Sequence, residues 1–300
     1  MTTGDPAKQS RALAAALEAV AGQVYFSPEC HAAYESLGFA GSRGQFGGVA
    51  MPDGPAYFCS RGSLLGQVPG PVVAAAFGVF NPAVVVPAVS FGWGLTTAES
   101  IEAARTEGAV GQLARVLGED PPEAKRLAEA LGPVSESLPV AGRPLYAGLM
   151  ERSVPDHPLG AAWRCADRLR EYRGDSHISA WTAAGLDAVE IGLLTEVYWG
   201  LAPKTYIRTR AWSEEELDAG MERLASAGLV RDGALTDTGR GVREGIERAT
   251  DRQCESVVAG LGDDFDEVVD ILSSWSAAIR AAHGYPASGP HDLAAAGAQG

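Results

Sequence analysis

Lysine is almost missing from this chain: Lys8, Lys125 and Lys204 are the only three, and 24 Lys and Arg together face 38 Asp and Glu, for a net charge of −14. No block of Lys or Arg occurs, so the basic stripe of a nucleic-acid reader is lacking, and acidic membrane surfaces are disfavoured for the same reason. Cysteine is scarce. Cys30, Cys59, Cys165 and Cys254 lie far apart with no CxxC pair, which argues against a zinc finger or redox dithiol and for buried thiols in a reducing cytoplasm. The start of the chain has neither a basic region nor an apolar run of the secretory kind, so a cytoplasmic location is expected. The longest apolar stretch, 68–89, is broken by Pro69, Pro71, Pro82 and Pro87. Proline removes helix donors, which makes this stretch core and not a membrane span.

Recognisable chemistry is also sparse. No P-loop, GxGxxG, GxSxG, HExxH or EF-hand pattern occurs, and the five histidines show no metal-ligand spacing. No cofactor and no metal are expected.

What is present is helix. Hydrophobic residues make up 46% of the chain, enough for a substantial core. Residues 7–21 are Ala- and Leu-rich, Ser27-Pro28-Glu29 opens a second helix, and 38–66 reads as a Gly-rich connection. Val72 to Phe80 reads as a buried helix, and Asn81 is placed to cap the next. Thr96-Thr97-Ala98-Glu99 and Asp120-Pro121-Pro122-Glu123 start helices ending near Gly118 and Gly132. Further helices are expected over 142–152 and 160–173. The stretch Arg173-Gly174-Asp175-Ser176-His177 reads as a turn that starts another.

The order of elements from Leu186 is specific. An apolar helix to Trp199 is followed by a short one at Ala202-Pro203. Ser213-Glu214-Glu215-Glu216 caps a third, with Leu217, Met221 and Leu224 at core spacing. Gly228 stops it. Asp232-Gly233 between apolar residues signals a tiny hairpin, and Thr236 begins a long helix. The expected fold is mainly α: a helical region over 1–184, a winged helix with a small β-hairpin wing over 185–284, and a disordered tail over 285–300. The apolar stripe Phe265, Val268, Val269, Ile271, Leu272 and Trp275 is expected to make a homodimer.

The segment "ERLASAGLVRDGALTDTGRGVREGIE" resembles the winged helices of MarR-type regulators. Over most of 20–285 the chain also resembles an actinobacterial family of helix-turn-helix-like proteins. That likeness rests on Tyr57-Phe58-Cys59-Ser60-Arg61 with Gly66, Phe80-Asn81-Pro82, Ala141-Gly142-Arg143-Pro144-Leu145, Leu169 to His177, and the wing. It implies a fold and no activity. Tandem winged-helix DNA glycosylases are similar in build, but their Gln-any-Gln or His-any-Gln motif is missing here.

The resemblance places a recognition helix at 214–226, whose first turns carry Glu214, Glu215, Glu216, Asp218 and Glu222 against Arg223 alone. Residues 178–300 hold ten basic and twenty acidic side chains. Phosphate neutralisation drives DNA affinity, so this face should repel DNA. Arg208, Arg210, Arg231, Arg240 and Arg243 are the residues from which a local basic edge could form.

The densest polar cluster surrounds Asp175 and His177, which are the candidate catalytic pair: a neutral His at a helix start beside a carboxylate is a usable general base. Arg61, Asn81, Trp93, Arg143 and Arg173 are the candidate ligand-binding residues, since arginine near apolar helices suits a planar anion. The leading functional expectation is a cytoplasmic protein that binds a small, mostly apolar ligand with a polar or anionic handle, with cofactor-independent acid–base catalysis within its scope. The alternative is a ligand-responsive transcriptional regulator.

Overall fold

A computed structural model describes residues 5–287. Helices open where short polar side chains can cap them. Asp5 caps α1 (Pro6–Gly22), and Ser27 caps α2 (Pro28–Ser36) by accepting from the Cys30 amide. The connection after α2 is not bare loop: it forms a two-rung hairpin, β1 (Gln45–Phe46) with β2 (Val49–Ala50). Asp53, capping Ala56, then starts α3 (Gly54–Gly62). The apolar stretch becomes α4 (Gly70–Phe77) and, capped by Asn81, α5 (Pro82–Gly92). Next come α6 (Ala98–Leu117), capped by Thr97, α7 (Glu123–Ser137) and α8 (Pro144–Met150).

Where a turn was expected at 173–177, α9 (Pro158–Ala183) runs unbroken. A glycine inside a helix costs about 1 kcal/mol. Packing of α9 against α1, α7, α8 and α12 outweighs that cost. Asp175 therefore caps no following helix, and His177 sits mid-helix instead of at a positive dipole end.

The winged unit follows in the expected order. Asp187 and Ser213 close capping boxes on α10 (Ala188–Trp199) and α11 (Glu214–Ser226). The short second helix is only a 3-10 turn, Ile207–Arg210. β3 (Val230–Arg231) pairs with β4 (Ala234–Leu235) around Asp232 and Gly233, both at positive φ. That is the geometry an Asp-Gly two-residue turn favours. Thr236 caps α12 (Asp237–Leu261), and α13 (Phe265–Ala281) completes the chain. The fold is mainly α, with two small hairpins.

The hydrophobic core falls into separate clusters. The main cluster joins α1, α6, α7 and α9 to the second half of α12 and to α13. A second lies between α4, α5 and α8, and the winged unit has its own around Leu193, Leu217 and Leu224. The stripe on α13 packs against α1 within the chain, with Val269 and Ile271 only partly buried. Tyr285, placed in the expected tail, is half-buried, edge-on to Phe26 and bonded to Glu18 at 2.6 Å. Residues 288–300 of that tail lie outside the described residues. Among the described residues no helix is long and apolar enough to cross a membrane.

The wing meets α12 through a close backbone approach. A Cβ on Gly239 would stand 2.0 Å from the Leu229 carbonyl oxygen, whereas one on Gly241, two residues on and exposed, meets nothing within 4 Å. Gly239→Ala should therefore cost about 1–3 kcal/mol by overpacking. Gly241→Ala should stabilise by roughly 0.5–1 kcal/mol through helix propensity. Denaturant midpoints that move in the same direction would refute this account of the wing junction.

Candidate functional site

α9 carries Arg164, Asp167, Arg168, Glu171, Asp175 and Ser176 through the interior, all buried. Buried charge must be paired to be tolerated. Asp167 takes a two-pronged bond from Arg105 at 2.8 and 2.9 Å. Glu171 takes another from Arg61 at 2.9 and 2.7 Å. Arg170 bridges Glu171 to Glu18, Arg164 reaches Glu102, and Arg173 reaches Asp251 at 3.1 Å and Glu247 at 3.6 Å. Burial pushes the Glu171 pKa up, but Arg61 and Arg170 outweigh it and hold the group below its ordinary value.

Most residues singled out from the sequence fall on this network and are occupied by it. Asp175 accepts from the Leu145 and Tyr146 amides, both at 3.0 Å, and so caps α8 from the side. His177, two positions on, turns towards α12, with Nδ1 3.1 Å from the Thr250 hydroxyl. Residues two apart on a helix do not face each other, so the pair expected to act as acid and base points to different neighbours. Arg143 stacks on Tyr172 at 4.3 Å and reaches Ser176 and Gln253. Trp93 donates to the Val68 carbonyl at 2.8 Å. Arg61, Arg143 and His177 thus do not gather around one space. Two surface clefts, each of about 390 Å³, lie elsewhere, one beside α2 and the other between α4, α5 and Trp181.

Asn81 leads to a different place. Besides capping α5, its amide N–H donates to the Arg210 carbonyl at 3.0 Å, and its side chain donates to Ala211 and Glu216. Trp212 donates to the Val79 carbonyl at 2.9 Å. These bonds clamp the turn before α11 onto the start of α5. Along the seam runs a ladder of rings and guanidinium groups. Arg170 lies over Tyr25, Tyr25 packs edge-on to Tyr57, and Tyr57 leans on Phe80 at 5.5 Å. Arg210 lies over Phe80 at 4.8 Å and over Tyr206 at 4.9 Å.

Arg210 is the exception among the arginines of this region. One of its five N–H donors reaches the Tyr206 hydroxyl at 2.6 Å. Among the described residues no carboxylate stands within ion-pair distance of it, and nearby Arg61 adds a second positive charge. Sequence reading placed Arg210 on a DNA-facing edge. The signal for its real setting was the i, i+4 spacing of Tyr206 and Arg210 directly before an aromatic, Trp212.

The local basic edge that Arg208, Arg210, Arg231, Arg240 and Arg243 could have formed is largely taken up by acids or buried. Lys204 and Arg208 are taken up by Glu214 and Asp218. Arg223 is held by Asp187 and Glu190, and Arg243 is buried on Glu247. Of the five arginines considered, Arg231 and Arg240 are exposed without an ion pair among the described residues. A recognition helix reads DNA with its N-terminal residues. Here the N-terminal turn of α11 is acidic and bonded to Asn81. Among the described residues no three His, Cys, Asp or Glu side chains gather as metal ligands.

Asp175 titrates in a measurable range. Burial is the main cause that raises it from 3.8 to about 7, with Glu171 adding to the rise while the two α8 amides and Arg61 oppose it. The folded state then holds this proton more tightly than the unfolded chain. Stability from this group should be fully present below about pH 4 and fall as pH rises to about 7, by a few kcal/mol at most. Asp175→Asn keeps the cap and removes the titration. The difference in unfolding free energy between the two proteins should therefore change with pH across that window. A difference that stays constant from pH 4 to 7 would show that Asp175 is ionised throughout.

None of the curated proteins matches the chain, and no solved structure matches it. A helix-turn-helix family matches residues 10–286, nearly the whole of the fold described above. With its winged unit, its long α9 and α12, and the helices that enclose them, the chain belongs to this helix-turn-helix family.

Proposed function

We propose that this chain is a small-molecule-binding protein whose ligand has an aromatic or apolar body and an anionic handle, held at the seam where the winged unit meets α3 and α5. The observation that carries this reading is Arg210. Its guanidinium is drawn in against Phe80 and Tyr206, keeps a full charge, and has most of its donors unfilled. Arg210 is half-buried, and its unfilled donors remain open to an incoming anion. A carboxylate or phosphate is its planar or multidentate complement. Tyr57, Phe80 and Tyr206 supply ring faces for the ligand body, and Arg61 supplies additional positive field. The reading is binding without turnover, because His177 and Asp175 face different helices.

A second reading, a winged-helix regulator with a MarR-like wing, is favoured by the family match alone. It would need DNA to approach through Arg231 and Arg240 past the acids of α11. Any such binding should appear only at low salt and fall steeply as salt is added. A gel shift with the protein's own upstream DNA that persists at physiological salt would reverse the ranking of the two readings.

Benzoate and phenyl phosphate are suitable probes for the seam, followed through the fluorescence of Trp212 and its neighbours. Saturable binding is expected, and Arg210→Met should weaken it about ten- to a hundredfold, the loss of a charge-assisted contact. The melting temperature should hardly change, since Arg210 ties no buried acid. Arg210→Lys should recover part of the affinity, because lysine keeps the charge and loses the fork. Absence of saturable binding by the wild-type protein, or equal binding by Arg210→Met, would remove the proposal.

A further inference from the structure

Away from the seam, two clefts are lined by a buried side chain with an unmet hydrogen-bonding demand, Trp181 at one and His31 at the other, and only at the second does a charged side chain share the lining. His31, on α2, is 3% exposed, and its Nε2 stands 3.1 Å from the Tyr25 carbonyl oxygen. A carbonyl only accepts, so Nε2 carries the proton. Burial lowers the His31 pKa, against the pull of the Tyr25 carbonyl and the nearby acids. The ring is therefore neutral, and Nδ1 is a lone-pair acceptor. That nitrogen is closed from water and has no partner among the described residues. Unfilled buried groups of this kind are rare in folded proteins.

The ring forms part of the wall of the cleft of about 390 Å³ between α2 and the β1–β2 hairpin. Glu35, one turn further along α2, lines the same cleft and lies on the same helix face. Its carboxylate is pressed against the loop after α2: a Cβ on Gly41, at φ +73°, would fall 1.9 Å from Glu35 Oε1. The neighbouring acids are already neutralised, Glu29 by Arg115 at 2.5 Å and Asp53 by Arg43 at 3.0 Å. Glu35 has no ion-pair partner among the described residues. The Ser42 hydroxyl, also at the cleft, directs its proton to the Gly44 and Met51 carbonyls at 2.9 and 3.0 Å.

The groups left unfilled at this cleft are thus a neutral imidazole nitrogen and a carboxylate. Both accept and neither donates, which selects for a cation rich in N–H and against any anion. We propose that the cleft is a binding site for a small primary ammonium ion, one N–H donated to His31 Nδ1 and another to the Glu35 carboxylate. Nδ1 is closed from water in the fold, so contact with it requires a small local opening of the cleft wall. This site is independent of the Arg210 seam and has the opposite preference for charge.

Nitrogen-15 labelling of histidine reads the ring nitrogens directly. The His31 signal is identified by its loss in His31→Gln or, should that variant not fold, by elimination with single variants at His157, His177, His283 and His291. Ethylammonium chloride should move the Nδ1 resonance of His31 saturably towards its hydrogen-bonded position. Tetramethylammonium chloride, with the same charge and no N–H, should leave it in place at matched ionic strength. Glu35→Gln, at an exposed position, should weaken the ethylammonium response about tenfold. No saturable movement with ethylammonium, an equal response to tetramethylammonium, or an undiminished response in Glu35→Gln would each overturn the proposal.

Discussion

The need to pair the charges that α9 carries through the interior governs the rest of this structure. Arg105 can be fully buried only because Asp167 meets it with both oxygens, and Glu171 only because Arg61 and Arg170 do the same. These pairs reach from α9 to α1, α3, α6 and α12, and so fix the positions of helices that are far apart in sequence. Breaking one partner would leave an uncompensated charge inside, which is worth several kcal/mol, whereas the intact pair contributes little net stability. The network therefore specifies one arrangement of helices more than it strengthens it.

Functional groups can be recognised against that background by the absence of pairing. Arg61, Asp175 and Arg173 looked like site residues because charged side chains near apolar helices are unusual. In the fold Arg61 and Arg173 have carboxylate partners, and one oxygen of Asp175 is taken by the α8 amides while its other oxygen is sealed in the interior. Arg210 and His31 drew less notice in the sequence, yet each keeps an unsatisfied group at an accessible edge. Charge density along the chain marks where the interior is polar. Unfilled hydrogen-bonding capacity, which only the fold reveals, marks where a ligand has something to do.

Local signals were legible where the physics is local. The caps at Ser27, Asn81, Ser213 and Thr236 and the Asp232-Gly233 turn follow from side chains and backbone within four residues of each other. The break expected at Gly174 failed because its helix is held from several sides, and α7 likewise continues through Pro133 to Ser137 by packing on α9. The fate of the α13 stripe was open in the sequence, since an apolar face shows that something covers it and not what. Asn81 was read correctly as a cap, but its tie to Arg210 spans well over a hundred residues and has no local trace.

The winged unit keeps the fold of its family while the helix that such folds present to DNA carries an acidic face. The turn before α11 is bonded to Asn81 and Val79, and the acids of α11 take up Lys204 and Arg208, two of the basic residues that could have met phosphate. The obstacle to an anionic groove is therefore one of charge, since the outer face of α11, with Glu214, Glu215, Asp218 and Glu222, stays exposed. The clamp that ties the turn before α11 to α5 also brings Arg210 onto Phe80. A ligand bound at the seam would press directly on that turn.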